Sequence, residues 1–290
     1  MSRPMLSAAA ALLSALAAAG PALAAPANCQ GNADALGVGR VVEIDTTGGP
    51  GFGFEHYKAH DFLQPKEVIL TFDDGPLPSH TRTILSALAQ HCARATFFSV
   101  GKLAVGYPEV LREVVSAGHT VGAHTFNHID LGKAAPEKAK DEIERGFSAV
   151  NRAAGGGIAP FFRYPFLRDS KDSLAHLAGR NIAIFSTDID SFDFKVQAPE
   201  NIVKTVMGKL EKRGKGIILM HDIQPSTAKA LPMLLKELKA KGYRLVHMKA
   251  KDKVQTLAEF DSLIEKDIKG LPAAGSERPT SSVVKTIPSN

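Results

Sequence analysis

Tryptophan, cysteine and long apolar segments are scarce in this chain. Its 290 residues include no tryptophan and two cysteines, and after residue 24 no apolar stretch approaches the roughly 20 residues that cross a membrane. Lysine and arginine give a net charge of +5, but they are spread along many segments, which argues against a nucleic-acid partner. With 44% hydrophobic residues, the chain can bury one large core as a single domain.

The first 24 residues differ in composition from the rest. A short basic start, an Ala/Leu-rich stretch and an A-L-A cleavage site at residues 22–24 predict a secretory signal peptide over residues 1–24. A membrane anchor is the alternative, although a Gly-Pro pair interrupts a run that is already short. Export would place the chain in an oxidising periplasmic or extracellular compartment, where Cys29 and Cys92 can form a disulfide; two buried thiols are the alternative.

The segments at the two ends of the chain lack strong periodicity. Residues 25–65 are Gly-rich, with an irregular T-T-G-G-P-G-F-G-F stretch, and are predicted to wrap or cap the main domain at residues 66–250. Residues 251–265 are predicted to form a C-terminal helix. Residues 266–290 are rich in Pro, Ser and small residues and are predicted to form a disordered tail.

Within the main domain, apolar runs alternate with helix-like stretches. This order indicates βα units around a parallel sheet, and continuous apolar runs indicate strands covered on both faces. Polar clusters recur at the C-terminal ends of the strands, which favours a single α/β domain folded as a distorted (β/α)7–8 barrel over a doubly wound sheet. Seven strands are predicted at EVILTF, ATFFSV, HTVGAH, FFRYP, IAIFSTD, GIILMH and YRLVH. Six helices are predicted near residues 80–92, 108–117, 136–154, 170–179, 199–213 and 226–241.

Two adjacent carboxylates follow the first of these strands, in T-F-D-D-G-P. Successive strand residues point to opposite faces, so Asp73 and Asp74 are not expected to share one role, although the pattern alone is also typical of a solvated turn. After the third strand, H-T-F-N-H places His124 and His128 four residues apart, where two imidazoles can converge. Two histidines and one aspartate make a three-ligand metal site with a position open for water.

The fourth, fifth and sixth strands also end in charged or titratable residues. Each of these residues by itself fits a surface ion pair, a turn or a hydrogen-bonded histidine. Because the C-terminal ends of parallel barrel strands meet at one face, they are expected to gather beside the carboxylate pair. They are Arg163, Asp188, Asp190, Asp193, His221 and Asp222.

Five motifs, TFDDGP, HTFNH, RYPFL, DSFDF and LMHD, stand in the order found in the polysaccharide deacetylases of carbohydrate esterase family 4. The chain resembles this family of NodB-like chitooligosaccharide and peptidoglycan deacetylases over residues 67–222, and the barrel similarity extends to about residue 250. The resemblance implies a distorted barrel and a metal-dependent hydrolase. It further implies removal of acetyl groups from a glycan, with the N-acetyl groups of a cell-wall or extracellular polymer as the favoured target.

The resemblance also implies which residues bind the metal. Asp74, His124 and His128 would hold a divalent ion, usually zinc although cobalt, nickel or another transition metal also serves. Asp73 would be the catalytic base that takes a proton from the attacking water. Arg163 would pair with Asp73 and keep it ionised.

Further roles follow from the other motifs. His221 would be the general acid that protonates the leaving amine, and Asp193 would orient it and favour its charged form. The backbone N–H of Phe166 would bind the oxyanion, and Leu219 and Phe194 would line the acetyl pocket.

Two positions depart from the family pattern. Phe166-Leu167 stands where the family usually has Tyr-Gly, and Phe194 stands where a Trp is usual. Because leucine adopts a positive φ less readily than glycine, this departure leaves the shape of the loop at Leu167 open. Aromatic residues for stacking on sugars are few, so the sequence assigns no sugar subsites.

Several alternatives stay open at this point. Two histidines and one carboxylate also form the facial triad of a non-haem iron oxygenase, but that chemistry leaves Asp73, Arg163 and His221 without a role. A non-catalytic carbohydrate-binding protein on the same barrel is a second alternative, and a hydrolase of small formamides or imides is a third. The favoured reading is a monomeric deacetylase with an acetylated glycan as its partner.

Overall fold

The computed structural model describes residues 32–195 and 198–269. The predicted signal peptide, Cys29 and residues 270–290 of the predicted tail lie outside the described residues. The signal peptide and the Cys29–Cys92 disulfide therefore stay predictions. In the part of the chain that the structure describes, no helix has the length and apolar character needed to cross a bilayer.

Strands and helices alternate along the described residues. The strands are β1 Arg40–Ile44, β2 Gly51–Phe52, β3 Glu67–Asp74, β4 Thr96–Ser99, β5 Thr120–Ala123, β6 Phe161–Phe162, β7 Ala183–Phe185, β8 Ile189–Asp190, β9 Gly216–His221 and β10 Arg244–Ala250. The helices are α1 Pro78–Gln90, α2 Gly101–Gly106, α3 Pro108–Ser116, α4 Pro136–Ala154, α5 Lys171–Gly179, α6 Pro199–Arg213, α7 Pro225–Ala240 and α8 Ala258–Lys269.

All strand pairings in the described sheet are parallel. A ladder runs β8–β9–β3–β4–β5–β6–β7, and β2 adds to β7. Since β7 and β8 share no ladder among the described residues, residues 186–188 of the chain join the two ends of the barrel there. The prediction of a distorted α/β barrel is confirmed.

Three strands and one helix were not predicted. β1 lies in the Gly-rich N-terminal segment and pairs with β10 over five residue pairs. β2 and β8 have two residues each, too short for a period-2 pattern, and α2 has six. The predicted strand I-A-I-F-S-T-D ends earlier, at Phe185, because the chain then changes partner from β6 to β9.

The buried residues form two layers, one inside the barrel and one between the strands and the helices. Side chains alternate along β3: Ile69 lies in the inner cluster, whereas Val68 and Leu70 lie in the outer one. The same alternation directs Thr71 and Asp73 toward the barrel interior. A polar pair therefore follows Ile69 on the inner side as β3 reaches its C-terminal end.

Helix α8 differs from the predicted C-terminal boundaries. It begins at Ala258 rather than at residue 251, because the preceding segment is bound elsewhere: the backbone N–H of Val254 donates to the carbonyl of Ile158 at 3.0 Å. Its end at Lys269 lies inside the predicted tail. The Arg145–Asp267 ion pair, at 2.6 Å, holds this last part of α8 against α4.

Candidate active site

Asp74, His124 and His128 converge at the C-terminal ends of β3 and β5. One ligand atom from each lies within 4.8 Å of the others, so the three can hold a metal ion. Asp74 Oδ1 is 3.2 Å from His128 Nε2 and 3.5 Å from His124 Nε2. The predicted trio is therefore brought together around one point.

The donor set of this trio suits a divalent cation. His124 Nδ1 lies 2.7 Å from the carbonyl oxygen of Arg163 and donates to it, so the lone pair of Nε2 faces Asp74. Burial lowers the pKa of His124 to about 3, which keeps its imidazole neutral, and burial raises the pKa of Asp74 to about 6. Asp74 Oδ1 is buried with no hydrogen-bond donor among the described residues. Two imidazole nitrogens and a carboxylate oxygen that lacks a hydrogen-bond donor are complementary to a metal ion.

Asp73 is buried and ion-paired. Arg163, which is 0% exposed, donates to Asp73 Oδ1 at 2.7 Å. The rest of its guanidinium is held by Thr71 Oγ1 at 2.7 Å and by the carbonyls of Phe185 and Ser186 at 3.1 and 2.9 Å. These contacts satisfy the buried charge of Arg163 and fix the orientation of the Asp73 carboxylate.

His221 is held by a second buried carboxylate. Its Nδ1 lies 2.6 Å from Asp193 Oδ1, and Asp193 Oδ2 accepts the His221 backbone N–H at 2.7 Å and the hydroxyl of Thr227. Burial favours a lower pKa for His221, but the hydrogen bond and charge of Asp193, together with Asp73 and Asp74, raise the pKa to about 9. The imidazole is therefore a cation at neutral pH.

The pairing of β3 with β9 sets these two groups side by side. Asp73 and His221 are register partners on neighbouring parallel strands, which lie roughly 5 Å apart. Leu219, two residues earlier on β9, is buried and lies on the same side of that strand by alternation. The exposed ring of Phe194 contacts the ring of His221, with 5.6 Å between centroids. Both residues predicted for the acetyl pocket therefore lie close to His221.

The Phe166–Leu167 loop has a left-handed backbone without a glycine. Both residues are left-handed, with φ of 57° and 55°, although leucine adopts this region at a cost of roughly 1–2 kcal/mol. The Phe166 ring lies 4.8 Å from that of His128, and the Phe166 N–H makes no hydrogen bond within the described residues. The Phe166 N–H is therefore without a protein acceptor in the described part of the chain, and the ring of the same residue contacts one member of the trio.

Left-handed backbone recurs in the loops around the trio. Positive φ values occur at Asp74, Thr125 and His128 as well as in the Phe166 loop. At Asp74, φ of 80° turns the carboxylate away from the strand alternation that directs Asp73 inward. Such strain concentrates at functional sites, where surrounding contacts over-determine the conformation.

The three other strand-end aspartates accept backbone N–H groups; Asp190 and Asp222 lie at the expected face, where their charges act on His221 and Asp74, whereas Asp188 does not. Asp188 accepts the backbone N–H groups of Phe54 and Ile217 at 2.8 Å each. It thereby lies beside the start of β9, far from His221 at its end. Asp222 is buried and accepts the Gly75 N–H at 2.8 Å, which anchors the turn after Asp74. Asp190 Oδ1 accepts the N–H of Phe192 at 2.8 Å, within its own loop.

Sequence reasoning missed a carboxylate that supports the His128 loop. Glu142 on α4 is fully buried and accepts the backbone N–H of Asn127 at 2.8 Å and its side-chain amide at 2.9 Å. Lys138 lies 3.0 Å from the same carboxylate, and the N–H of His128 donates to Thr125 Oγ1 at 2.9 Å. Nothing in the sequence signals the contact, since Glu142 lies mid-helix, 15 residues after Asn127. Thr71 and Thr227 were also missed, although Thr71 precedes Asp73 by two residues on one strand face.

Comparison with known proteins identifies the family. A model of the polysaccharide deacetylase family matches residues 62–182. A chitooligosaccharide deacetylase from a Bradyrhizobium strain is 31% identical over 199 residues, which cover 64% of this chain and 90% of that protein. A peptidoglycan-N-acetylglucosamine deacetylase from Bacillus cereus is 32% identical over 185 residues, which cover 62% of this chain and 66% of that protein.

A solved structure agrees with these matches. A peptidoglycan deacetylase from Bdellovibrio bacteriovorus superposes with a TM-score of 0.67 at 34% identity, over 73% of this chain and 59% of that protein. The chain thus spans about three fifths of that structure. The sequence match over nine tenths of a curated relative and the shared barrel lead to one conclusion: the chain belongs to the polysaccharide deacetylase family.

Proposed function

We propose that this protein hydrolyses N-acetyl groups of a cell-wall or extracellular glycan. The observation that carries the proposal is that a buried Asp73–Arg163 pair and a partly buried His221–Asp193 pair lie side by side on neighbouring strands, beside the Asp74–His124–His128 trio. A base and an acid on neighbouring strands suit an amide, since its cleavage needs both deprotonation of water and protonation of the leaving nitrogen.

Asp74, His124 and His128 are the proposed ligands of a divalent metal. Two nitrogens and one oxygen suit zinc, and cobalt or nickel fit the same donors. The ion would supply Lewis acidity, which polarises the acetyl carbonyl and acidifies the attacking water.

Asp73 is the proposed general base. Its Oδ1 accepts a hydrogen bond from Arg163, which holds the carboxylate in place to accept a proton from the attacking water. Because four acceptor groups hold the guanidinium, Asp73 is fixed rather than free to turn toward Asp74. The two adjacent aspartates thereby divide proton transfer and ligation between them.

His221 is the proposed general acid. Its Nδ1 is bound to Asp193, so Nε2 is the atom that can hand a proton to the leaving nitrogen. The raised pKa, about 9, keeps that proton available at neutral pH. As charge develops on the carbonyl oxygen, the free N–H of Phe166 is the proposed donor to it, and Leu219 with Phe194 would enclose the acetyl methyl group.

Acetate release tests this proposal. Purified protein loaded with zinc is expected to release acetate from N-acetylglucosamine oligomers or peptidoglycan, and chelation followed by zinc addition should abolish and restore the activity. Acetylxylan separates O- from N-deacetylation, and a formamide and a cyclic imide test the small-amide alternative. Glycan binding without acetate release would support a binding protein, and a need for oxygen would support an oxygenase.

The pH profile provides a further prediction. An acid must be protonated to act, so kcat/KM should fall as pH rises through the pKa of His221, at about 9. Asp193→Asn removes the charge that outweighs burial, so the pKa should drop and the alkaline fall should move toward lower pH. The neighbouring charges of Asp73, Asp74 and Asp190 remain in both proteins. An alkaline limb that stays in place in Asp193→Asn would assign it to another group.

Glu142→Gln is predicted to weaken metal binding by about 10-fold or more, because the amide offers one acceptor where the carboxylate accepts two N–H groups of Asn127. Competition with a chelating dye gives the dissociation constant, and thermal unfolding of the metal-free protein reports any general loss of stability. Glu137→Gln, on the exposed first turn of the same helix, is the matched control. Equal metal affinity in the two variants would contradict a supporting role for Glu142.

The proposal includes export by the predicted signal peptide, the Cys29–Cys92 disulfide and a monomeric state. Family relatives that act on peptidoglycan by name support a location outside the cytoplasmic membrane.

A further inference from the structure

The loop that carries Asp193 presents two aromatic rings and an ammonium group beside the site. Phe192 and Phe194 flank the buried Asp193, and both rings are exposed. The backbone N–H of Lys195 donates to the carbonyl of Phe192 at 2.9 Å, which closes the turn. The ammonium group of Lys195 then lies 5.4 Å from the Phe192 centroid and 5.2 Å from the Phe194 centroid. We call Phe192, Phe194 and Lys195 the aromatic rim.

The positive charge of the rim has no carboxylate partner. Lys195 forms no ion pair among the described residues. The neighbouring Lys209, which is not part of the rim, lies 3.9 Å from the Phe192 centroid, but its ammonium group donates to the carbonyl of Asp190 at 2.7 Å. The aromatic faces attract the Lys195 ammonium and hold it near the site while leaving its charge available. Phe194 in turn contacts His221, so Lys195 lies one aromatic ring away from the proposed general acid.

The rim suits a ligand that combines an apolar face with an anionic group. A sugar ring can stack on an exposed phenyl ring, but a neutral sugar offers an ammonium group only uncharged oxygen acceptors, whereas a charge-assisted hydrogen bond to a carboxylate is stronger. A carboxylate on the same sugar, or on a substituent of it, would pair with Lys195 without competing with the buried acids of the site.

We propose that the aromatic rim selects glycans whose acetylated sugars carry a carboxylate, with Lys195 as the specificity-determining residue. This inference rests on the proposed deacetylase function. Because the pair is exposed, its contribution is modest and belongs to substrate binding rather than to the chemical step. It also weakens as salt is added.

Matched substrates separate the contribution of the substrate carboxylate to binding from that of the sugar ring. The zinc-loaded protein would be assayed on a muramic-acid-containing oligosaccharide with its carboxylates free, on the same compound with its carboxylates converted into amides, and on a neutral N-acetylglucosamine oligomer. The first should show a KM lower by roughly 2- to 5-fold than the second, with similar kcat. A peptide-bearing oligosaccharide, whose carboxylates lie on the peptide, tells a sugar carboxylate from a peptide one.

Three variants test the role of Lys195 in substrate selection. Lys195→Ala should raise KM for the free-carboxylate substrate by roughly 2- to 5-fold and leave KM for the amidated and neutral substrates unchanged. Lys195→Arg should retain the preference, and Lys236→Ala, which removes an exposed lysine of α7, should behave as the unaltered protein.

The failures of the two proposals are distinguishable. The inference would be overturned if Lys195→Ala raised KM by the same factor for all three substrates, or if the unaltered protein showed no preference for free carboxylates. Either result would leave the deacetylase function intact. Absence of acetate release from every substrate would instead overturn the proposed function.

Discussion

Asp73→Asn is expected to retain its metal and to lose turnover by about 10²- to 10⁴-fold. Asparagine keeps the size and one oxygen acceptor for Arg163, but it cannot take a proton from water, and a positioned base contributes about that much to the rate. The substitution also leaves the fully buried guanidinium without its counter-charge. Breaking a buried ion pair costs about 3–5 kcal/mol of stability at most, and the contacts of Arg163 to Thr71 and two carbonyls reduce that loss.

Metal content and kinetics, measured on the same preparation below its unfolding temperature, decide this prediction. Asp74→Asn is the adjacent control, and it should show the opposite behaviour, with metal binding impaired. If Asp73→Asn lost its metal, or deacetylated at near-normal rate with saturating metal, the division of roles between the two aspartates would be wrong.

His221→Ala is expected to keep its metal and to lose more activity on an amide than on an ester. An amine leaves only when protonated, whereas an aryl oxide leaves readily, so removal of the acid should cost about 10²- to 10⁴-fold on an acetamide and much less on an aryl acetate. His221 lies on β9, next to the strand of Asp73, and is not one of the proposed metal ligands. The Asp74–His124–His128 trio should therefore stay intact.

Side-by-side assays of an acetylated glucosamine oligomer and an aryl acetate provide the test. His176→Ala is a histidine control, because that residue pairs with Glu144 between α4 and α5 rather than with the site. Equal losses on amide and ester in His221→Ala would exclude a role in protonating the leaving group. Loss of metal would make His221 part of the ligand environment instead.

Short-range patterns in the sequence determined the positions of the main strands and most of the residues of the candidate site. Strands covered on both faces are continuous apolar runs, so β3, β4, β5 and β9 could be located from composition alone. Polar residues stand at the C-terminal ends of β3, β5, β6 and β9, and the parallel barrel brings them together. They are Asp73, Asp74, His124, Arg163 and His221. Metal-ligand spacing and strand ends are short-range properties, and a sequence displays them directly.

Only the tertiary structure decided which of the strand-end carboxylates border the site. Asp188 and Asp193 lie five residues apart, yet one anchors β9 at its start and the other orients His221 at its end, because β8 pairs with β9 after the chain leaves β6. Register is a long-range property that depends on the partner strand, so no local pattern could separate the two.

Dependence on long-range contacts also explains why the sequence did not predict three other features. These are the left-handed turn at Leu167, the support of Asn127 by Glu142 and the unpaired charge of Lys195. A leucine disfavours positive φ on its own, and only the packing around the loop holds it there. Glu142 and Lys195 resemble many other surface-type residues in the sequence. Their difference lies in their neighbours, which are the N–H donors of Asn127 for one and two exposed aromatic rings for the other, and the fold determines those neighbours.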